Sequence, residues 1–168
     1  MSNIIVEGGR PLNGSIRPSA NKNAVLPVLC STLLTTAPVT LHNVPEITDV
    51  RAILEFFRKL GSEVSADFET GTVRLVHGPN IKPDAVLPVG MRSSVMLIPP
   101  MLHRFGQAIL ETDAKGCTLG SREIDPHIDL FKAFGATVRG AAGNVIVELS
   151  GQMQAIDHWL DYASVTTT

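Results

Sequence analysis

Two basic side chains stand just ahead of apolar runs with helical spacing. Lys22 lies in Ser19-Ala-Asn-Lys-Asn23 and precedes Val25, Leu26, Val28, Leu29, Leu33 and Leu34. Arg92 precedes Met96, Leu97, Ile98 and Leu102. A helix start carries unpaired N–H groups and the positive end of the macrodipole, so a cation there is disfavoured unless an anion fills the site. Two cations at matched places therefore point to phosphate or carboxylate binding. The plainer reading is a solvent-facing Lys beside a cap, with Ser19 or Asn21 as the capping residue.

A second focus is Cys117, in the polar stretch Asp113-Ala-Lys-Gly-Cys-Thr-Leu-Gly120. Two glycines make this an exposed loop rather than a core strand. Lys115 and Arg122 would lower the thiol pKa if they point inward, giving a nucleophile or general acid; otherwise the loop cysteine is incidental. Cys30, between Leu29 and Leu33, reads as a small buried hydrophobe. Arg122, Asp125, His127 and Asp129 form the last cluster. Arg122 could clamp a carboxylate or phosphate with its planar fork. Asp125 is a cap candidate with Pro126 at the first helical position. A helix start does not converge these two carboxylates and the imidazole, so no metal site is expected. His42, His77, His103 and His158 have no motif partners, and Arg104 and Lys115 read as surface residues. Gly8-Gly9 is not a dinucleotide fingerprint, and there is no phosphate loop.

The elements that must position these residues alternate between helix and strand. Ile4-Ile-Val6 and Gly14-Ser-Ile-Arg17 are strand candidates. Lys22 to Thr35 is a buried helix, with Pro27 near its first turn. Val39-Thr-Leu41 is a strand, and Thr48-Asp49 opens a helix from Val50 to Leu60 with Gly61 as C-cap. Val64 and Val73 to Val76 form a hairpin turned at Glu69-Thr-Gly71. The order recurs: a helix at Arg92 to Leu102, a strand at Ala108 to Glu111, and a helix at Asp125 to Phe134 ending at Gly135. Strands at Val138 and Val145 to Leu149 close it. Lys59-Leu-Gly-Ser-Glu-Val64 echoes Ala133-Phe-Gly-Ala-Thr-Val138, a step of 74 residues, and Lys22 to Arg92 is a step of 70. The unit is β-α-β-α-β-β, and a third copy would open at about Ser164. The expectation is therefore a chain that stops as a third unit begins, completed by further sequence or by a partner.

Composition frames this. At 168 residues with 44% hydrophobic and 18% charged residues, the chain is of one-domain length and can bury one sizeable core. Aromatics are only 5%, so that core is aliphatic. Fourteen Lys plus Arg against sixteen Asp plus Glu give a net charge of −2, unlike a chain that coats nucleic acid or an anionic membrane. Small anionic ligands stay open. Two cysteines make no disulfide framework. No apolar run reaches the ~18 residues of a membrane span, and the N-terminus has no secretion signal. A cytoplasmic protein is expected.

Ser19-Ala-Asn-Lys-Asn-Ala24, Pro45-Glu-Ile-Thr-Asp49, Leu60-Gly61, Gly116-Cys-Thr-Leu-Gly-Ser-Arg122, Asp125, His127 and Ser164-Val165 resemble, in order, the pattern of the enolpyruvyl transferases. The branch acting on a UDP-sugar is the nearer; the branch that makes 5-enolpyruvylshikimate 3-phosphate lacks the loop cysteine. The resemblance runs over nearly all of the chain. It implies an α/β (α+β) fold, the inside-out α/β barrel of repeated β-α-β-α-β-β units, incomplete here. Residues 1–20 would be strands belonging mostly to an absent second domain, 21–163 two of three units of the first domain, and 164–168 the start of the third.

The activity implied is transfer of enolpyruvate from phosphoenolpyruvate to a hydroxyl of UDP-N-acetylglucosamine, in peptidoglycan precursor synthesis. By resemblance, Lys22, Arg92 and Arg122 bind phosphoenolpyruvate. Lys22 and Cys117 are catalytic, with Cys117 the site of fosfomycin alkylation. Asn23, Arg122, Asp125, Ser164 and Val165 bind the acceptor. No cofactor, metal, nucleic acid or membrane is implied. The partner would be the remainder of the enzyme, a complementary chain or a second copy, and this chain alone would be inactive. The sequence departs from the family pattern at Ala20-Asn21, usually Gly-Ala; at Glu123, usually Pro; and at Tyr162, usually Lys or similar. The Pro helps shape the uracil pocket, so another nucleotide or sugar acceptor, or a non-catalytic module of the same fold, stands as the alternative.

Overall fold

Among the described residues the chain forms two antiparallel three-stranded sheets, each backed by helices. The structure is a computed structural model that describes residues 4–9, 11–88, 92–111, 125–141, 143–160 and 167, without the side chains of Arg92 and Asp125. In the first half, α1 (Lys22–Ser31) runs into a 3-10 turn (Thr32–Leu34), followed by β1 (Val39–Leu41), α2 (Thr48–Leu60), β2 (Glu63–Asp67) and β3 (Thr72–Val76). The second half repeats the order. A 3-10 helix (Arg92–Leu97) runs into α3 (Ile98–Phe105), followed by β4 (Gln107–Glu111), α4 (Asp125–Ala133), β5 (Thr137–Ala141) and β6 (Asn144–Glu148).

The sheets repeat as well. Their orders are β1-β3-β2 and β4-β6-β5, with Val39 opposite Leu75 in the first and Ala108 opposite Val147 in the second. Gly61 and Gly135 end the second helix of each half with φ of 94° and 96°, a left-handed conformation that L side chains adopt only under strain. This is the physical content of the Leu-Gly and Phe-Gly echo in the sequence.

The core lies between helices and sheets and runs through both halves. Leu26, Leu29 and Leu33 from α1 and its turn meet Ile53, Leu54 and Phe57 of α2, Val73 and Leu75 of β3, and Leu97, Ile98 and Met101 of the second half. Of these, Phe57, Leu29, Leu33, Leu75, Leu97, Ile98 and Met101 are fully excluded from solvent. Alternate residues of β3 face this core while Arg74 faces outward, the period-two pattern of a half-buried sheet.

Among the described residues Ile4–Val6 and Gly14–Arg17 pair with no strand, and Ile4, Leu12 and Ile16 are almost wholly exposed. A strand needs a ladder partner for its backbone groups. Two other expectations change. The first helix stops at Ser31, and Pro27 sits in its second turn rather than its first. Finally, the Arg92 helix is 3-10 up to Leu97 because Pro99 and Pro100 lack the N–H groups that would bond back to Val95 and Met96.

Candidate functional site

Asn21 settles how α1 begins. Its side-chain Oδ1 accepts from the backbone N–H of Asn23 at 2.8 Å and of Ala24 at 3.2 Å. Two of the first free amides of the helix are thus already satisfied by Asn21, and Ser19 is not the cap. Lys22 is the first helical residue and remains more than half exposed. Its ammonium lies 2.9 Å from Asp49 Oδ2. Asp49 belongs to the first turn of α2, where a carboxylate is favoured by the helix dipole.

The same Asp49 oxygen accepts from Ser93 Oγ at 2.9 Å. Ser93 is the second residue of the 3-10 helix that Arg92 opens, and it is buried. The two basic helix starts picked out from the sequence thus meet at one carboxylate across the two repeats. Asn23 is exposed beside Lys22. Sequence reasoning read Asp49 only as part of the opening of α2 and of the family pattern and gave it no place in the site, although opposite charges in the first turns of α1 and α2 were visible.

The remaining candidates divide. Cys117, Arg122, Ser164 and Val165 lie outside the described residues, and Asp125 is placed only by its backbone, as the start of α4. His127 is buried, with Nε2 3.2 Å from Thr167 Oγ1. Among the described residues no group of three or more His, Cys, Asp or Glu could hold a metal ion, and no helix is long and apolar enough to cross a membrane. A hollow of about 380 Å³ opens between α1 and α3, lined by Pro27, Cys30, Leu34, Met96, Pro100 and Met153 among others. It is almost purely apolar and does not include Lys22. Cys30 is buried at its edge, and that burial pushes its thiol up to about 12; it is a packing residue, as its place between leucines suggests.

Two groups given no role in the sequence organise the interior. His77 is fully buried between Thr32 and Ser62, with Nε2 2.9 Å from Thr32 Oγ1 and Nδ1 2.8 Å from Ser62 Oγ. Thr32 donates its own hydroxyl proton to Leu29 C=O at 2.6 Å, so it must accept from His77. That fixes the neutral tautomer with the proton on Nε2, and Ser62 donates to Nδ1. Burial, assisted by the nearby Arg104 charge, pushes the His77 pKa down to about 4. Arg104, expected at the surface, instead donates to Leu33 C=O at 3.0 Å, His77 C=O at 2.7 Å and Gly78 C=O at 2.8 Å. It clamps α3 of the second repeat onto the first.

Fold and site together define an α/β protein of duplicated β-α units, with two cation-bearing helix starts gathered at one point. The chain matches, over residues 6–168, the family described as EPSP synthase (3-phosphoshikimate 1-carboxyvinyltransferase). It therefore belongs to this family of enolpyruvyl transferases. The UDP-N-acetylglucosamine 1-carboxyvinyltransferases of Coxiella burnetii (strain Dugway 5J108-111) and Sorangium cellulosum (strain So ce56) are each 37% identical to it. Each alignment covers 100% of this chain and 39% of the relative. The chain thus spans about 39% of the length of these curated relatives. Two solved structures share the fold. The enolpyruvyl transferase NikO from Streptomyces tendae has TM-score 0.69 and 24% identity, over 87% of this chain and 32% of that one. An EPSP synthase from Acinetobacter baumannii has TM-score 0.71 and 18% identity, over 92% and 36%.

Proposed function

We propose that this chain forms one wall of the active site of an enzyme that moves enolpyruvate from phosphoenolpyruvate to a hydroxyl of UDP-N-acetylglucosamine. This is a cytoplasmic step of peptidoglycan precursor synthesis. The observation that carries the proposal is the meeting of the Lys22 and Arg92 helix starts at Asp49, in a chain of this family. The acceptor is suggested by relatives named for UDP-N-acetylglucosamine at 37% identity.

In this reading Lys22, Arg92 and Arg122 hold the phosphate and carboxylate of phosphoenolpyruvate, and fixed cations offset charge that develops there. The acceptor hydroxyl adds to C2 of the enol phosphate, giving up its proton to a base supplied by the remainder of the enzyme, while Cys117 delivers a proton to the methylene carbon, giving a tetrahedral ketal. Loss of a proton from the new methyl group and departure of inorganic phosphate restore the double bond. Asn23, Arg122, Asp125, Ser164 and Val165 orient the acceptor, which supplies the proximity term. Inside-out packing of three repeats and a second domain would complete the cleft, contributed by the remainder of the enzyme or by a complementary chain. Residues 1–20 are assigned to that second domain, 21–163 to two units of the first, and 164–168 to the start of the third.

A different nucleotide or sugar acceptor is the second reading, favoured by Glu123 where the family pattern has Pro. The test is intact mass of the natural gene product with and without fosfomycin, followed by peptide mapping. Thiolate opening of the epoxide at Cys117 is expected to add one fosfomycin mass. A protein of unchanged mass, active with phosphoenolpyruvate or not, overturns the role of Cys117. Turnover with a panel of nucleotide sugars then separates the two acceptor readings.

A further inference from the structure

We infer that Asp49 is the positioning residue of the anion site, one carboxylate oxygen tying the Lys22 ammonium to the helix that Arg92 opens. This rests on the reading of Lys22 as an anion ligand given above. Asp49 Oδ2 lies 2.9 Å from Lys22 Nζ and 2.9 Å from Ser93 Oγ. Three elements from both repeats, α1, α2 and the 3-10 helix at Arg92–Leu97, converge on that atom.

The partners are unequally fixed, and this sets the direction of control. The Asp49 side chain is 21% exposed and sits at the positive end of α2, which has no side-chain cap at Ile47. Ser93 is buried and donates its hydroxyl to Asp49. Lys22 is 55% exposed on a flexible four-carbon stem. Asp49 is therefore the anchored member and Lys22 the one being held. An ammonium has three donors, so pairing with Asp49 leaves two for an incoming oxyanion.

A carboxylate beside an anion site also repels the ligand. Here its charge is already shared among an ammonium, a hydroxyl and a helix end, so positioning outweighs repulsion. The sign of the effect distinguishes the two.

The experiment compares the chain with Asp49→Ala, Asp49→Asn and Ser93→Ala. Limited acetylation measures Lys22 modification relative to Lys59, and inorganic phosphate is titrated by amide NMR shifts. An exposed ion pair is worth a modest factor, so Asp49→Ala should raise the Lys22:Lys59 ratio about 2- to 5-fold and weaken phosphate binding by a similar factor. Asp49→Asn, which keeps an oxygen acceptor, should restore part of both. Ser93→Ala changes no charge and should move both readouts less, in the same direction. An unchanged Lys22:Lys59 ratio in Asp49→Ala and Ser93→Ala overturns the inference, as does phosphate binding in Asp49→Ala equal to or tighter than in the parent. Failure of the unaltered chain to bind phosphate overturns the anion site itself and removes the role of Asp49 with it.

Discussion

Acidification should loosen this protein at one named place. His77 is buried in its neutral form because Thr32 can only accept from it and Ser62 is left to donate. Protonation would put a second donor on Nδ1 and a charge in the core beside Phe57, whose ring lies edge-on at 4.7 Å. The folded-state pKa is about 4 against 6.5 for an ordinary histidine. The group is depressed on folding, so the unfolded chain binds its proton first and falling pH favours unfolding. The stability held by neutral His77 is full above about pH 6.5 and is lost progressively toward about pH 4. Converting the shift gives about 3 kcal/mol in total, of which about 2 kcal/mol disappears between pH 7 and pH 5, above the range where carboxylates dominate. Urea unfolding at those two pH values measures the loss. His77→Gln keeps hydrogen-bonding capacity but cannot titrate; it should lower stability at pH 7 by about 1–3 kcal/mol and flatten the pH dependence. Parallel stability curves for the parent and His77→Gln between pH 7 and pH 5 would refute the reasoning. So would an NMR titration placing the His77 pKa near 6.5.

Arg104→Ala removes a cation that serves three carbonyls, and urea unfolding should show a loss of about 2–4 kcal/mol, only partly recovered by Arg104→Lys, which lacks the planar fork. Asn21→Ala strips the side-chain cap of α1 and should cost about 1 kcal/mol in the same assay. Cys30, with its thiol pushed up to about 12, should resist iodoacetamide at pH 8 in the folded chain and react once urea unfolds it, as mass spectrometry of the labelled peptide will read.

What could be read from sequence followed from local regularity. The helix α2 shows Ile53, Leu54, Phe57 and Leu60 on one face and a glycine at its end, and both features survive unchanged. The second copy of that Gly signal at Gly135 made the repeat visible, and the matched Lys22 and Arg92 followed from it. The N-terminal segment is legible only as apolar alternation, because strand formation is a property of a pair and a run such as Ile4–Val6 carries no information about its partner. The helix opened by Arg92 begins as 3-10 because the paired prolines sit deeper than the basic residue that marks its start.

The residues that escaped sequence reading all act between the repeats or between distant elements. Arg104 reaches from α3 to Leu33, His77 joins Thr32 to Ser62, and Asp49 joins Lys22 to Ser93. None has a partner within one helical turn, so spacing could not expose them. On the proposed anion-site reading, their arrangement gives the duplicated fold a functional logic, because each repeat alone would offer a single basic residue at a helix start, a weak anion ligand. Arg104 and the shared core fix the two repeats against one another, and only then can Asp49 bring Lys22 to the helix of Arg92. On this argument, loosening the inter-repeat clamp should disturb the Lys22 environment even though Arg104 is remote from it in sequence. Arg104→Lys should therefore raise the Lys22:Lys59 acetylation ratio under conditions where the variant remains folded. An unchanged ratio in a folded Arg104→Lys chain would mean that the Lys22–Asp49–Ser93 junction is set by its own three elements, independently of the clamp.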